Sequence, residues 1–280
     1  MLTKRELRRI VTWKLARRWF VARKLGCMTA AVEFQDVVVA TREGRRLLDG
    51  VSLAQEEGSV TAVLGKSGSG KTTLLRTVNR MVEVTAGEVL VHGKAVRNAD
   101  VIQLRRGIGY VIQETGLFPH YSVERNVGVV LEVMGQDRST RVARCEELLR
   151  AVGLEPSMFA RRLPHQLSGG QRQRVGLARA LAAEPEILLM DEPFGALDPV
   201  TRAEMHEMLR ELLAQMKKTV LLVTHDLDEA LVLADRIVLL HEGKVAADLS
   251  AEDFLRSELP EVAAYVRAFH RGLLSKEAQT

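Results

Sequence analysis

Residues 59–75, SVTAVLGKSGSGKTTLL, decide how the rest of the chain is read. SVTAVLG, residues 59–65, is short and apolar, with the length and composition of a buried strand. Gly65-Lys66-Ser67-Gly68-Ser69-Gly70-Lys71-Thr72 starts at its last residue and fits G-x-x-x-x-G-K-[ST] without a mismatch. The segment from Thr73 has helical spacing. Strand, glycine loop and helix in that order form a phosphate cradle. The glycines let the backbone curl so that successive N–H groups face phosphate oxygens, and the helix N-terminus adds partial positive charge. In this reading Lys71 reaches the β- and γ-phosphates, the Thr72 hydroxyl ligates Mg²⁺, and Thr73 closes the loop.

Outward from this loop, strands alternate with helices. AVEFQDVVVA and LLDGVSLAQEEG read as strands, GEVLVHGKAV as a strand pair around His92-Gly93, and GIGYVIQ as another apolar strand. Residues from about Leu117 to Arg179 turn mostly helical, with TRVARCEELLRAVGL the clearest periodic segment. EILLMD, TVLLVTH and DRIVLLHEG then read as strands separated by helices, and DRIVLLHEG is the last strand of the pattern. The alternation implies an α/β fold with a mainly parallel sheet covered on both faces. AEDFLRSELPEVAAYVRAF reads as a terminal helix pair.

Three strand ends carry chemistry. Ile187–Met190 runs into Asp191 and Glu192. A carboxylate at that position, beside a phosphate loop, can hold Mg²⁺, leaving the adjacent Glu192 to orient or deprotonate an attacking water. Gln113 ends GIGYVIQ with a neutral side chain able to touch Mg²⁺ or its water. His225 ends TVLLVTH; a lone histidine there is by itself more often structural than catalytic. A second glycine-rich helix start, Leu167-Ser168-Gly169-Gly170-Gln171, lies far downstream of the first.

Composition narrows the setting. The 280-residue chain carries a net charge of +4. Residues 1–28 hold nine lysines and arginines against Glu6 alone, so the remainder is net acidic and shows no overall bias toward nucleic acid. Leu7, Ile10, Val11, Leu15 and Trp19 recur at helical spacing among those arginines, the pattern of a helix lying on a membrane surface. The alternative is a start at Met28, directly ahead of the first strand. No stretch approaches 18 consecutive apolar residues. Cys27 and Cys145 lack metal-ligand spacing, as do the seven histidines, and two such cysteines point to a reducing compartment.

Phosphate loop, Gln113, LSGGQ at 167–171, LLMDEP, GALD ending at Asp198, and His225, in this order, resemble the ATP-binding subunit of an ABC transporter over about residues 32–245. The resemblance implies an ATPase with a RecA-like core, an antiparallel β subdomain and an inserted helical subdomain. The corresponding division is a basic extension at 1–28, an ATPase domain at 30–250 with its helical subdomain at about 117–179, and a short helical tail at 251–280. It also implies Glu192 as catalytic base, His225 on the γ-phosphate and Asp198 at a subunit contact. Ser168, Gly169, Gly170 and Gln171 are expected to face the nucleotide of a second subunit, so that the chain works as a homodimer or with a closely related ATPase. Integral membrane permease subunits, a solute-binding protein and a peripheral position on the cytoplasmic face of the plasma membrane are further implications; nucleic acid is not among the expected partners.

Asn79-Arg80 and Gly116-Leu117-Phe118-Pro119-His120 look most like osmoprotectant importers that take up glycine betaine, choline or proline-type solutes. Amino-acid or lipid transport and a soluble non-transport ATPase of the same family are the alternatives. One departure stands out: Thr41 occupies the place where the family often has an aromatic ring to stack on adenine, which leaves Arg42 or a neighbouring arginine for that contact.

Overall fold

The computed structural model describes residues 30–277. The basic segment 1–28, with its expected surface helix, lies outside the described residues. Two sheets organise the chain. A four-stranded antiparallel sheet has the order β2-β1-β4-β5, made of β1 (Ala30–Ala40), β2 (Arg46–Glu56), β4 (Ala86–Val91) and β5 (Lys94–Ala95). The six-stranded sheet has the order β10-β9-β3-β8-β7-β6, with β3 at Val60–Leu64, β6 at Ile108–Val111, β7 at Ile187–Asp191, β8 at Thr219–Val223, β9 at Arg236–His241 and β10 at Lys244–Ser250. All its neighbours pair in parallel except β9 and β10.

The near-continuous apolar runs of the parallel strands are explained by two cores that share one sheet. Successive side chains point to opposite faces. Leu188 and Met190 enter one core with Val220 and Leu222; Ile187 and Leu189 enter the other with Leu221 and Val223. The second core lies between the two sheets and takes Leu74, Leu75 and Val78 from α1 (Lys71–Val78). α2 (Val101–Arg106) leads into β6, capped by Asp100, whose carboxylate accepts from the Ile102 and Gln103 amides.

Between β6 and β7 the chain is helical: α3 (Val123–Val133), α4 (Arg138–Ala151), the single turn α5 (Pro156–Phe159) and α6 (Gly169–Leu181). The first of these starts later than the periodicity suggests. Residues 116–122 form a loop fastened by the buried Asn126, whose side chain accepts from the Phe118 amide and donates to the Phe118, Tyr121 and Ser122 carbonyls. Cys145 is buried in α4, where burial pushes its thiol up to about 12 and leaves it inert.

α7 (Pro199–Met216) and α8 (Leu227–Leu233) complete the helices between the parallel strands, and α9 (Ala251–Arg256) and α10 (Pro260–Glu277) form the terminal pair. β10 and α2 are additions to the sequence reading, which ends its strands at residues 235–243. KVAADLS is alanine-rich and weak in strand propensity; it is a strand because the Glu242-Gly243 turn, with both φ values positive, folds it back on β9. No helix among the described residues is long and apolar enough to cross a membrane.

Candidate functional site

The glycine loop occupies the link between β3 and α1, as its spacing requires. Gly65 has no room for a side chain: a Cβ there would lie 2.4 Å from the Leu240 carbonyl oxygen and 2.6 Å from Ser69 Oγ. Gly70, the residue before the helix, has φ +101°, a left-handed conformation that side chains disfavour. The C-terminal hairpin supports the loop from below. The Gly243 amide donates to the Ser69 carbonyl at 3.1 Å, and the Asp49 amide donates to the Gly243 carbonyl at 2.9 Å. A Cβ on Gly243 would approach the Leu47 carbonyl oxygen to 2.7 Å.

Lys71 is 5% exposed and donates from Nζ to the Gly65 and Lys66 carbonyls at 2.8 and 3.1 Å. Burial pulls its pKa down, and the fields of Glu192 and Asp191 pull it back up. A buried ammonium held by carbonyls alone has unspent attraction for an anion, which suits a phosphate. Ser69 Oγ is buried without a partner in the same loop. Lys66, Ser67 and Gly68 are exposed at its rim, and Thr73 sits in the first turn of α1.

Thr72 Oγ1 donates to Asp191 Oδ1 at 2.9 Å, across 119 residues of chain. Asp191, 3% exposed, also accepts from Tyr110 at 3.4 Å and lies 3.7 Å from the Arg76 guanidinium. One hydroxyl and one carboxylate side by side match the sparse oxygen set that holds Mg²⁺ together with nucleotide oxygens and water. Among the described residues no group of three or more His, Cys, Asp or Glu is placed to hold a metal ion without such help.

Glu192 follows directly, with φ +46°, an uncommon conformation for a non-glycine residue that turns its side chain off the strand line. Its Oε2 accepts from Gln113 Nε2 at 3.3 Å and stands 3.3 Å from His225 Nδ1. Three strand ends that are separate in sequence therefore meet on one carboxylate oxygen.

The second glycine motif starts α6, and its four central residues form a capping box. Gln171 N donates to Ser168 Oγ at 3.2 Å, and Ser168 N donates to Gln171 Oε1 at 3.0 Å. The Gln171 oxygen is thus used within its own helix. Gly170 packs on α7: a Cβ there would lie 2.6 Å from Thr201 Cγ2. Asp198 caps α7 by accepting from the Thr201 amide at 3.0 Å, and the Thr201 hydroxyl together with that amide holds its carboxyl below the usual range. In the turn at 41–45, Thr41 Oγ1 donates to Glu43 at 3.1 Å, and no aromatic ring is present in it.

Sequence reasoning missed the groups beneath His225. Thr224 Oγ1 donates to Glu229 Oε2 at 2.6 Å and accepts from the Asp226 amide at 3.0 Å, while Arg202 pairs with Asp226 at 3.0 Å. Glu229 is 3% exposed and its Oε1 has no partner; Arg202 Nε is likewise unpartnered. Both line a small cavity that also touches Glu192 and His225. Burial pushes the Glu229 carboxyl up to about 8 from 4.5. The folded state therefore keeps a proton that the unfolded chain releases. Its contribution to stability is intact below pH 4.5 and is lost as pH rises through 8. Glu229→Gln is expected to gain stability over the parent at pH 8 by on the order of 2–4 kcal/mol, with little gain near pH 4. Urea unfolding at the two pH values measures the difference; equal gains at both would exclude a buried proton.

A parallel sheet with a phosphate cradle at one strand's carboxyl end and three further strand ends turned toward it defines a nucleotide-binding α/β domain. The family model described as ABC transporter matches residues 48–195, and the chain belongs to that family. It is 42% identical over 227 residues to the choline transport ATP-binding protein OpuBA of Bacillus subtilis, covering 81% of this chain and 59% of that protein. It is 44% identical over 247 residues to the glycine betaine uptake system ATP-binding protein YehX of Escherichia coli, covering 81% and 80%. The chain thus spans less than two thirds of the Bacillus relative. Among solved structures, the dimeric post-hydrolysis state of the ATP-binding cassette MJ0796 bound to ADP and Pi matches with TM-score 0.70 and 34% identity, covering 79% of this chain and 98% of that one.

Proposed function

We infer that this chain is the ATP-hydrolysing subunit of an ABC importer for a small osmoprotectant such as glycine betaine, choline or a proline-type solute. The observation that carries the chemistry is the meeting of Gln113 and His225 on Glu192 Oε2, next to the Thr72–Asp191 pair. The names of the similar proteins from Bacillus subtilis and Escherichia coli support the cargo.

In this reading the amides of Gly65–Thr73 and the Lys71 ammonium bind the phosphates. Thr72 and Asp191, with Gln113 at the edge, would hold Mg²⁺, which neutralises charge on the β- and γ-phosphate oxygens. Glu192 takes a proton from the attacking water as its oxygen bonds to the γ-phosphorus and the bond to the ADP oxygen breaks. His225 holds a γ-phosphate oxygen. Ser168, Gly169 and Gly170 present a hydroxyl and helix N-terminal amides to the nucleotide of a second copy, and Asp198 lies at the contact between the two. Gln171 serves this surface indirectly, by capping the helix that bears it.

The cassette dimer would sit on the cytoplasmic face of the membrane against permease subunits, supplied by a solute-binding protein. Cells carrying this chain together with its membrane subunits are expected to take up labelled glycine betaine or choline. Lys71→Ala should lower that uptake at least tenfold. Uptake unaffected by Lys71→Ala would overturn the energising role, and uptake of amino acids alone would overturn the cargo.

A further inference from the structure

α10 lies beyond the ATPase motifs, yet one of its side chains reaches them. Pro260 begins the helix, and Val262, Tyr265, Val266 and Phe269 recur at the spacing of a single helical face. Val262 is fully buried and the other three pack on the core beside it. Among these, Tyr265 alone carries a polar end, and that end is used: Oη donates to the His225 carbonyl at 2.8 Å. One phenol on the C-terminal helix is therefore bonded to the turn that carries His225.

The His225 turn is tied down on its other side by side chains already described. Thr224 is held between Glu229 and the Asp226 amide, and the Asp226 carboxylate caps α8 by accepting from the Asp228 and Glu229 amides. Those contacts fix residues 224 and 226. The peptide carbonyl of His225 itself is left to Tyr265. A phenylalanine would fill the same apolar face of α10, so docking of the helix does not require the hydroxyl. Burial pushes that hydroxyl up to about 12, so it remains a donor across the physiological range.

We propose that Tyr265 is a positioning residue of the ATPase site: its hydroxyl, presented by the C-terminal helix, fixes the peptide of His225. The proposal rests on the reading of His225 as the γ-phosphate contact. Small displacements of a catalytic side chain cost turnover more than they cost substrate binding.

The test is steady-state ATP hydrolysis by the full chain, with thermal unfolding measured in parallel. Tyr265→Phe is expected to lower kcat roughly three- to tenfold, as for loss of one hydrogen bond. KM for ATP should stay within about twofold and the unfolding midpoint should hardly move. Val262→Ala loosens the same helix without touching the turn; it should lower the unfolding midpoint and keep kcat within about twofold. Unchanged kcat in Tyr265→Phe, or an equal loss in Val262→Ala, overturns the proposal. His225→Ala separates the two claims. If it abolishes turnover while Tyr265→Phe is unimpaired, only the role of Tyr265 falls; if it turns over like the parent, the reading of His225 falls and the proposal with it.

Discussion

Glu192→Gln is expected to bind ATP as the parent does and to hydrolyse it at least about a hundredfold more slowly, the scale on which a positioned general base contributes. The substitution keeps the length of the side chain and its capacity to accept from Gln113, which sits 3.3 Å away. It removes the negative charge and the basicity. With hydrolysis blocked, nucleotide stays in place and the cassettes should accumulate as dimers, detectable by size-exclusion chromatography with MgATP. Two results would count against the assignment. Turnover close to the parent's would free Glu192 from the base role. Loss of ATP binding would mean that the carboxylate supports the fold of the site through the His225 contact at 3.3 Å.

Ser168→Arg should abolish hydrolysis to a similar degree by a different route, leaving ATP binding to the single chain intact. Ser168 caps α6 through a reciprocal pair with Gln171, and neither residue bonds to the phosphate loop of its own chain. An arginine there would crowd the surface that a second copy's nucleotide must approach. Loss of the cap costs about 1 kcal/mol of stability, and Ser168→Ala, which removes the hydroxyl and its cap without adding bulk, is the control for size. It should keep measurable turnover, whereas Ser168→Arg should not. Equal loss of ATP binding and hydrolysis in Ser168→Arg would mean that the second glycine motif serves its own chain's nucleotide, and the dimer argument would fail.

The parts of the site that were legible in the sequence are those whose physics is local. A backbone that must curl around phosphate needs glycine at fixed intervals, and Gly65 and Gly70 stand where a Cβ is excluded or disfavoured. Gln113, Glu192 and His225 are each weak alone; order along the chain made them a set, and the fold brings them to one oxygen. What escaped is non-local. Glu229 reads as an ordinary charge in a helix until its burial against Thr224 is known. Tyr265 reads as one apolar position among several until its hydroxyl is found on His225. β10 has no strand composition of its own and takes its form from β9. The capping box at Ser168–Gln171 is readable as S-x-x-Q, but that pattern alone does not show that the Gln171 oxygen is used within its own helix.

The backbone contacts of Gly243 with Ser69 and Asp49 join a later segment of the chain to two early ones. The phosphate loop leaves the ribosome well before the turn beneath it is synthesised. Until that turn docks, the loop lacks its floor, and a nascent chain offers ATP an unfinished cradle. A ligand stabilises only the state that binds it. Nucleotide therefore stabilises the loop fully only once residues 242–243 have docked beneath it.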